Sequence, residues 1–219
     1  MSIDTAYQYP DFQTWYKDNQ NYDDEFIKDD PTNYNFTHKL DVILSKTHGY
    51  VAGGCFKNLV KGEDPKDIDV YYEDKMDMED SIKRVDDDKD FKKLYHNENV
   101  HAYIYKDTRV ELVTKYNLSP LELLERFDFT VTKFSYVPYD TSYVLFHQFF
   151  FRDLQLKHLV VNSFLQFPLS TWNRVFRYAK YGYQPCRETR LYLAHAINSL
   201  DTSNLSDENF DKDFYEGFD

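Results

Sequence analysis

Between Gly49 and Asp74 the chain reads GYVAGGCFKNLVKGEDPKDIDVYYED: a β-prone run, two glycines, a short stretch closed by Gly62, and a second β-prone run opening on two carboxylates one residue apart. Few folds accommodate that order. "YVA" and "IDVYY" are short strand signals, and Gly53-Gly54 between them permits a tight turn. The backbone N–H groups of such a turn, with the start of the helix behind it, can approach an anion. On a strand, residues two apart share a face, so Asp67 and Asp69 stand side by side, about 6.6 Å apart along the backbone, while Ile68 enters the core. Two carboxylates drawn to about 4 Å repel by about 4 kcal/mol at an effective dielectric of 20, a penalty that a cation between them removes. The same alternation also describes a half-exposed strand with a solvated polar face. Residues 67–69 alone leave both readings open.

Further along, "NVHAYIY" and "RVELVT" are strands joined through "KDT" as a tight hairpin, which makes a small mixed sheet. In "RVELVT", Val110 and Leu112 face the core if Glu111 faces outward, and a neighbouring strand lies only about 4.8 Å away, so Glu111 is a candidate third ligand beside Asp67 and Asp69. Oxygen-only ligands with open positions suit Mg²⁺, with Mn²⁺ as the alternative, and point to phosphate chemistry. Three carboxylates on adjacent strands can hold two such ions about 3.5–4 Å apart. "MEDSIKRVDDDKDFKKLY" fits a helix, acidic at its front and basic near its end. In "SPLELLERF", Ser119 is an N-cap, Pro120 takes the first helical position and Glu122 completes a capping box. From Tyr143 onward the pattern is mostly helical, in three segments punctuated by Pro168 and Pro185. The expected class is therefore α+β, a small mixed sheet with flanking helices plus a helical C-terminal domain. The expected organisation is an irregular-to-helical segment over 1–46, a catalytic domain over 47–136, a helical domain over 137–200 and an acidic tail over 201–219.

The formal net charge of −12 argues against a broad basic surface that grips nucleic acid, so any such contact is local. Cys55 and Cys186 lie far apart with no metal-like spacing, which fits free thiols in a reducing compartment. No basic region followed by an apolar run opens the sequence, and the longest apolar stretch, YVLFHQFFF, is too short to span a bilayer. A cytoplasmic protein without a membrane partner is expected.

With these residues in view, the chain resembles the nucleotidyltransferase superfamily that includes DNA polymerase beta, and most of all the head and neck of class II tRNA CCA-adding enzymes and bacterial poly(A) polymerases. The family pattern GGxVRDxLLG followed by DxD is similar to Gly53 through Gly62 and then Asp67-Ile68-Asp69, with Lys57 and Asn58 in place of Arg and Asp. Lys57 keeps the charge but lacks the bidentate fork that Arg offers a phosphate. A second motif, RRDFTxNA, resembles Arg126 through Lys133 and keeps its first Arg and its Asp, here Arg126 and Asp128. A third, EDxxRxxRxxRFA, resembles Ser170 through Gly182, with Arg174, Arg177 and Lys180 at the basic spacing and Ser170 and Thr171 in the acidic places. Bases at that spacing are expected on one helix side, facing a nucleotide or water.

The resemblance implies a metal-dependent nucleotidyltransferase, in which an acceptor hydroxyl attacks the α-phosphate of a nucleoside triphosphate and pyrophosphate leaves. It implies that Asp67, Asp69 and Glu111 hold Mg²⁺, that Gly53, Gly54 and Lys57 hold the triphosphate, and that Arg126, Asp128, Arg174 and Arg177 contact ribose, base or phosphate. Acceptors in range are an RNA or tRNA-like 3′ end, a protein or a small molecule. The negative charge and the short chain favour a compact transferase over a full tRNA-maturing enzyme. The alternative is a nucleotide-binding regulatory module of the same fold without chemistry.

Overall fold

The computed structural model describes residues 25–139, 141–161, 165 and 167–200. The chain divides into two compact units, one formed by Phe26–Glu125 with Thr132–His147, the other containing Arg126–Val131 and the chain from residue 148 onward. Residues 1–24 of the 1–46 segment and the whole acidic tail expected over 201–219 lie outside the described residues.

The first unit is built on an eight-stranded mixed sheet of order β1-β8-β7-β2-β3-β6-β5-β4. Its strands are β1 (Phe26–Asp29), β2 (Tyr50–Ala52), β3 (Asp67–Tyr72), β4 (Phe91–His96), β5 (Val100–Tyr105), β6 (Thr108–Asn117), β7 (Phe134–Val137) and β8 (Tyr143–His147). β3 and β6 run parallel, while the other neighbours are antiparallel. A parallel pair needs a long crossover, and here it holds a helix and the β4–β5 hairpin. That helix, α3 (Lys75–Asp87), follows α1 (Asp41–Thr47) and α2 (Phe56–Leu59) and precedes α4 (Pro120–Arg126). Asp74 caps α3 by accepting from Met76 N at 2.6 Å, and Met78, Ser81 and Val85 form its buried stripe. At α4 the capping box is present: Glu122 Oε2 accepts from Ser119 N at 2.9 Å, and Ser119 Oγ accepts from Glu122 N at 3.4 Å. Lys106 and Asp107 turn β5 into β6 with φ of 45° and 67°, the left-handed pair whose twist matches the flanking strands.

The sheet is wider than expected because three segments read otherwise in sequence are strands. Tyr143–His147, expected to be helical, is β8, and its last four residues are all buried. A strand covered on both faces shows no two-residue alternation and so resembles a buried helix in sequence. Phe91–His96, expected to prolong a helix, is β4, since α3 ends at Asp87 and Asp88 is extended. Phe26–Asp29, in the part expected to be irregular, is the edge strand β1.

Phe134 is the hub of the unit's aromatic core: its ring lies 4.4 Å from that of Phe56, 5.3 Å from Phe146 and 5.6 Å from Phe36, centroid to centroid. Its carbonyl also accepts from Gly53 N at 3.0 Å, so the same residue ties the glycine turn to the sheet.

The second unit contains α5 (Phe150–Leu156), β9 (His158–Leu159), α6 (Pro168–Ala179), β10 (Gln184–Pro185) and α7 (Arg187–Asn198), with β9 and β10 paired in parallel. The Arg126–Val131 segment is anchored in it by the Phe129–Val161 bridge and by Thr130, whose N donates to Val160 O at 3.0 Å and whose Oγ1 donates to buried Asp153 at 2.6 Å. Among the described residues no helix is long and apolar enough to cross a membrane.

Phe134→Ala should lower the unfolding free energy by about 3–5 kcal/mol, read by chemical denaturation, and Phe134→Leu should lower it by clearly less. Equal losses would show that the ring contacts are not what fixes the glycine turn.

Candidate active site

The register of β3 on β6 decides which side chains meet. Asp67 stands opposite Arg109, Ile68 opposite Val110, Asp69 opposite Glu111 and Val70 opposite Leu112. Ile68, Val70, Val110 and Leu112 are buried, so Asp67, Asp69 and Glu111 occupy the other face together. The β2 strand is antiparallel to β3, with Val51 opposite Val70. Its chain end therefore runs toward Asp69 and Asp67, and the Gly53-Gly54 turn leaves β2 beside them. Gly53 has φ 97°, a conformation that a side chain would strain. Burial pushes the Cys55 thiol pKa up, and the charges of Asp69 and Asp67 push it further while Lys57 opposes them. Lys57 Nζ donates back to the Gly54 carbonyl at 2.7 Å.

Two residues that sequence reasoning missed complete this face. Arg109 Nη2 donates to Asp67 Oδ2 at 2.6 Å, and its Nε lies 3.0 Å from Glu111 Oε1, at an angle that makes it an ion pair rather than a hydrogen bond. Burial works against the Arg109 charge, but the Asp67 hydrogen bond and the charges of Glu111 and Asp67 outweigh it and raise its pKa. Tyr95 Oη donates to the same Glu111 oxygen at 3.0 Å. Partial burial, then this bond to a carboxylate, raises the Tyr95 pKa, so the phenol is the proton donor. Arg109 was legible two residues before Glu111 in the strand "RVE"; Tyr95 was hidden because its strand had the pattern of a helix end.

The donor set of three carboxylates, without sulfur or nitrogen, has the chemistry of a hard divalent cation site. Among the described residues no three His, Cys, Asp or Glu side chains are gathered closely enough to grip an ion, and Arg109 contacts two of the three carboxylates. The residues fit a cation in kind and in face, with Arg109 displaced.

The remaining candidates belong to the second unit. Asp128 and Arg174 form a buried ion pair through Oδ2 and Nη1. Ser170, Thr171, Arg174, Val175 and Tyr178 make the buried side of α6, whereas Arg177 and Lys180 are exposed. The three basic residues thus do not face one way: each step of three falls about 60° short of a full turn, and the row fans from core to solvent. Arg126 is exposed at the end of α4. Ser170 and Thr171, at the acidic places of the family pattern, are buried.

Solved structures with the same fold include a CCA-adding enzyme in complex with CTP, with a TM-score of 0.59, 18% identity, and coverage of 84% of this chain and 47% of that one. The Thermotoga maritima CCA-adding enzyme complexed with tRNA aligns with a TM-score of 0.58 at 19% identity, over 87% of this chain and 49% of that one. A tRNA nucleotidyltransferase complexed with a primer tRNA and an incoming ATP analog gives 0.54 at 19% identity, over 73% and 50%. This chain spans about half the length of those proteins. The suspected superfamily is borne out at the level of fold. No curated protein matches the chain. Residues 13–157 match the family described as Gabija anti-defense 2, and the chain, with its nucleotidyltransferase fold, belongs to that family, Gad2.

Proposed function

We propose that this protein is a metal-dependent nucleotidyltransferase, which moves a nucleoside monophosphate from a triphosphate to an acceptor hydroxyl and so acts against the Gabija system for which its family is named. The observation that carries the reading is the β3–β6 register, which sets Asp69 opposite Glu111 with Asp67 on the same face. Asp67, Asp69 and Glu111 would hold Mg²⁺ or Mn²⁺. The ion would supply charge neutralisation at the triphosphate and activation of the attacking oxygen.

The chain's own residues have separate tasks in this scheme. Gly53 and Gly54 offer backbone N–H groups to the phosphates, and Lys57, released from the Gly54 carbonyl, offers its ammonium. Arg126 and Arg177, both exposed, are available to phosphate or ribose. Asp128 and Arg174 are buried and paired with each other in the second unit. The net charge of −12 favours a protein, a small molecule or a short RNA end over a large polyanionic acceptor.

A second reading is favoured by one observation: Arg109 already neutralises Asp67 and Glu111, as in a nucleotide-binding module that has given up chemistry. The Arg109 and Asp67 side chains, however, are 40% and 41% exposed, and an ion pair that open to solvent contributes only about 0–1 kcal/mol. A contact that weak leaves the carboxylates open to a divalent cation and does not argue against the transferase.

Incubated with each labelled triphosphate, Mg²⁺ and a mixture of RNA and protein acceptors, the protein should transfer label and release pyrophosphate. Asp69→Asn should keep the circular dichroism spectrum and lose at least about 100-fold in rate; an Asn variant with wild-type turnover would sink the assignment. Chelation by EDTA should stop the reaction, and added Mg²⁺ or Mn²⁺ should restore it. Mg²⁺-dependent nucleotide binding without pyrophosphate release would instead favour the module.

A further inference from the structure

The β4 strand contains a feature that the transferase reading does not use. Lys93 stands opposite Tyr103 and Tyr95 opposite Ala102, so Leu94 is an extra residue, a bulge in the β4–β5 ladder. In a regular ladder Leu94 would take Ala102 as its partner, and Tyr95 would oppose His101 and, the side-chain period being two, point to the other face of the sheet. With it, Tyr95, Ala102, Glu111 and Asp69 stand in one row across β4, β5, β6 and β3. Residues directly opposed in a sheet project to the same face. Ala102 contributes only a methyl group to that row and leaves the lane to Glu111 open, along which the Tyr95 hydroxyl reaches Glu111 Oε1 at 3.0 Å. Tyr95 itself is 43% exposed.

A nucleotidyltransferase needs an acceptor hydroxyl beside the carboxylates of its site. The Tyr95 phenol, 3.0 Å from Glu111 Oε1, is such a hydroxyl. We propose that Tyr95 is a nucleotide acceptor in its own right, so that the protein nucleotidylates itself at this residue. The proposal rests on the transferase reading above.

The step balances without any further reactant than the triphosphate. Tyr95 Oη attacks the α-phosphorus, and an oxygen–phosphorus bond forms as the bond to the bridging oxygen breaks. Pyrophosphate leaves with the electron pair, and the phenolic proton passes to water. The product is a phosphodiester between the tyrosyl oxygen and the nucleoside 5′-phosphate. Nothing is oxidised or reduced.

The test is to incubate the full chain with Mg²⁺ and each of the four ribonucleoside triphosphates, without added acceptor, and to follow pyrophosphate release, intact mass and peptide fragmentation. A single nucleoside monophosphate increment on Tyr95, lost in Tyr95→Phe and in Asp69→Asn, is the expected result. In a parallel sample with RNA and protein acceptors, pyrophosphate release with label on an acceptor or another residue and Tyr95 unmodified would overturn the inference and leave the transferase reading intact. No pyrophosphate and no label in either sample would overturn both. Tyr95→Phe keeps the ring and its packing, and an unchanged melting temperature shows that loss of label is not loss of fold.

Discussion

Parallel pairing of β3 with β6 is the contact on which the site depends, because a slip of one residue in either strand would exchange the two faces of that strand. A slip of β3 would bring Ile68 and Val70 to water and Asp67 and Asp69 into the core, and a slip of β6 would do the same to Val110, Leu112 and Glu111. Each of the four apolar side chains contributes about 1.5–3 kcal/mol by burial. Together they exceed the repulsion of about 4 kcal/mol between two carboxylates brought close. The hydrophobic face therefore holds the acidic face in place, and the charges are a consequence that the fold must neutralise.

Neutralisation comes from Arg109, which bridges Asp67 and Glu111. The Asp67 contact is partly open to solvent and weak, whereas Glu111 is only 17% exposed and its contact with Arg109 is more enclosed. Around it the aromatic cluster on Phe134 does the more rigid work: the Phe56 ring behind the glycine turn packs on it, and its carbonyl holds Gly53. The turn thus stays beside the carboxylates for reasons that lie in the core.

Much of this was legible in the sequence. The strand period of two predicts the common face of Asp67 and Asp69 and the outward Glu111, and capping chemistry predicts the Ser119–Glu122 start of α4. What was not legible depended on long-range pairing. The buried strand β8 has no alternation to betray it. Tyr95 reaches Glu111 only because Leu94 is an extra residue, and a bulge is visible only once β4 is laid against β5. Arg174 and Arg177 have the spacing of one helix side, yet the shortfall of three residues against a full turn buries the first against Asp128 and exposes the second. Which of the two turns inward is set by the core of their unit.

The most direct test is a crystal structure of the protein with Mn²⁺ and a non-hydrolysable nucleoside triphosphate. The account predicts anomalous density within coordination distance of Asp67, Asp69 and Glu111, triphosphate oxygens on the same ion and the Arg109 guanidinium withdrawn from Asp67. Density for the nucleotide without manganese at these carboxylates, and Arg109 still bridging Asp67 and Glu111, would contradict it.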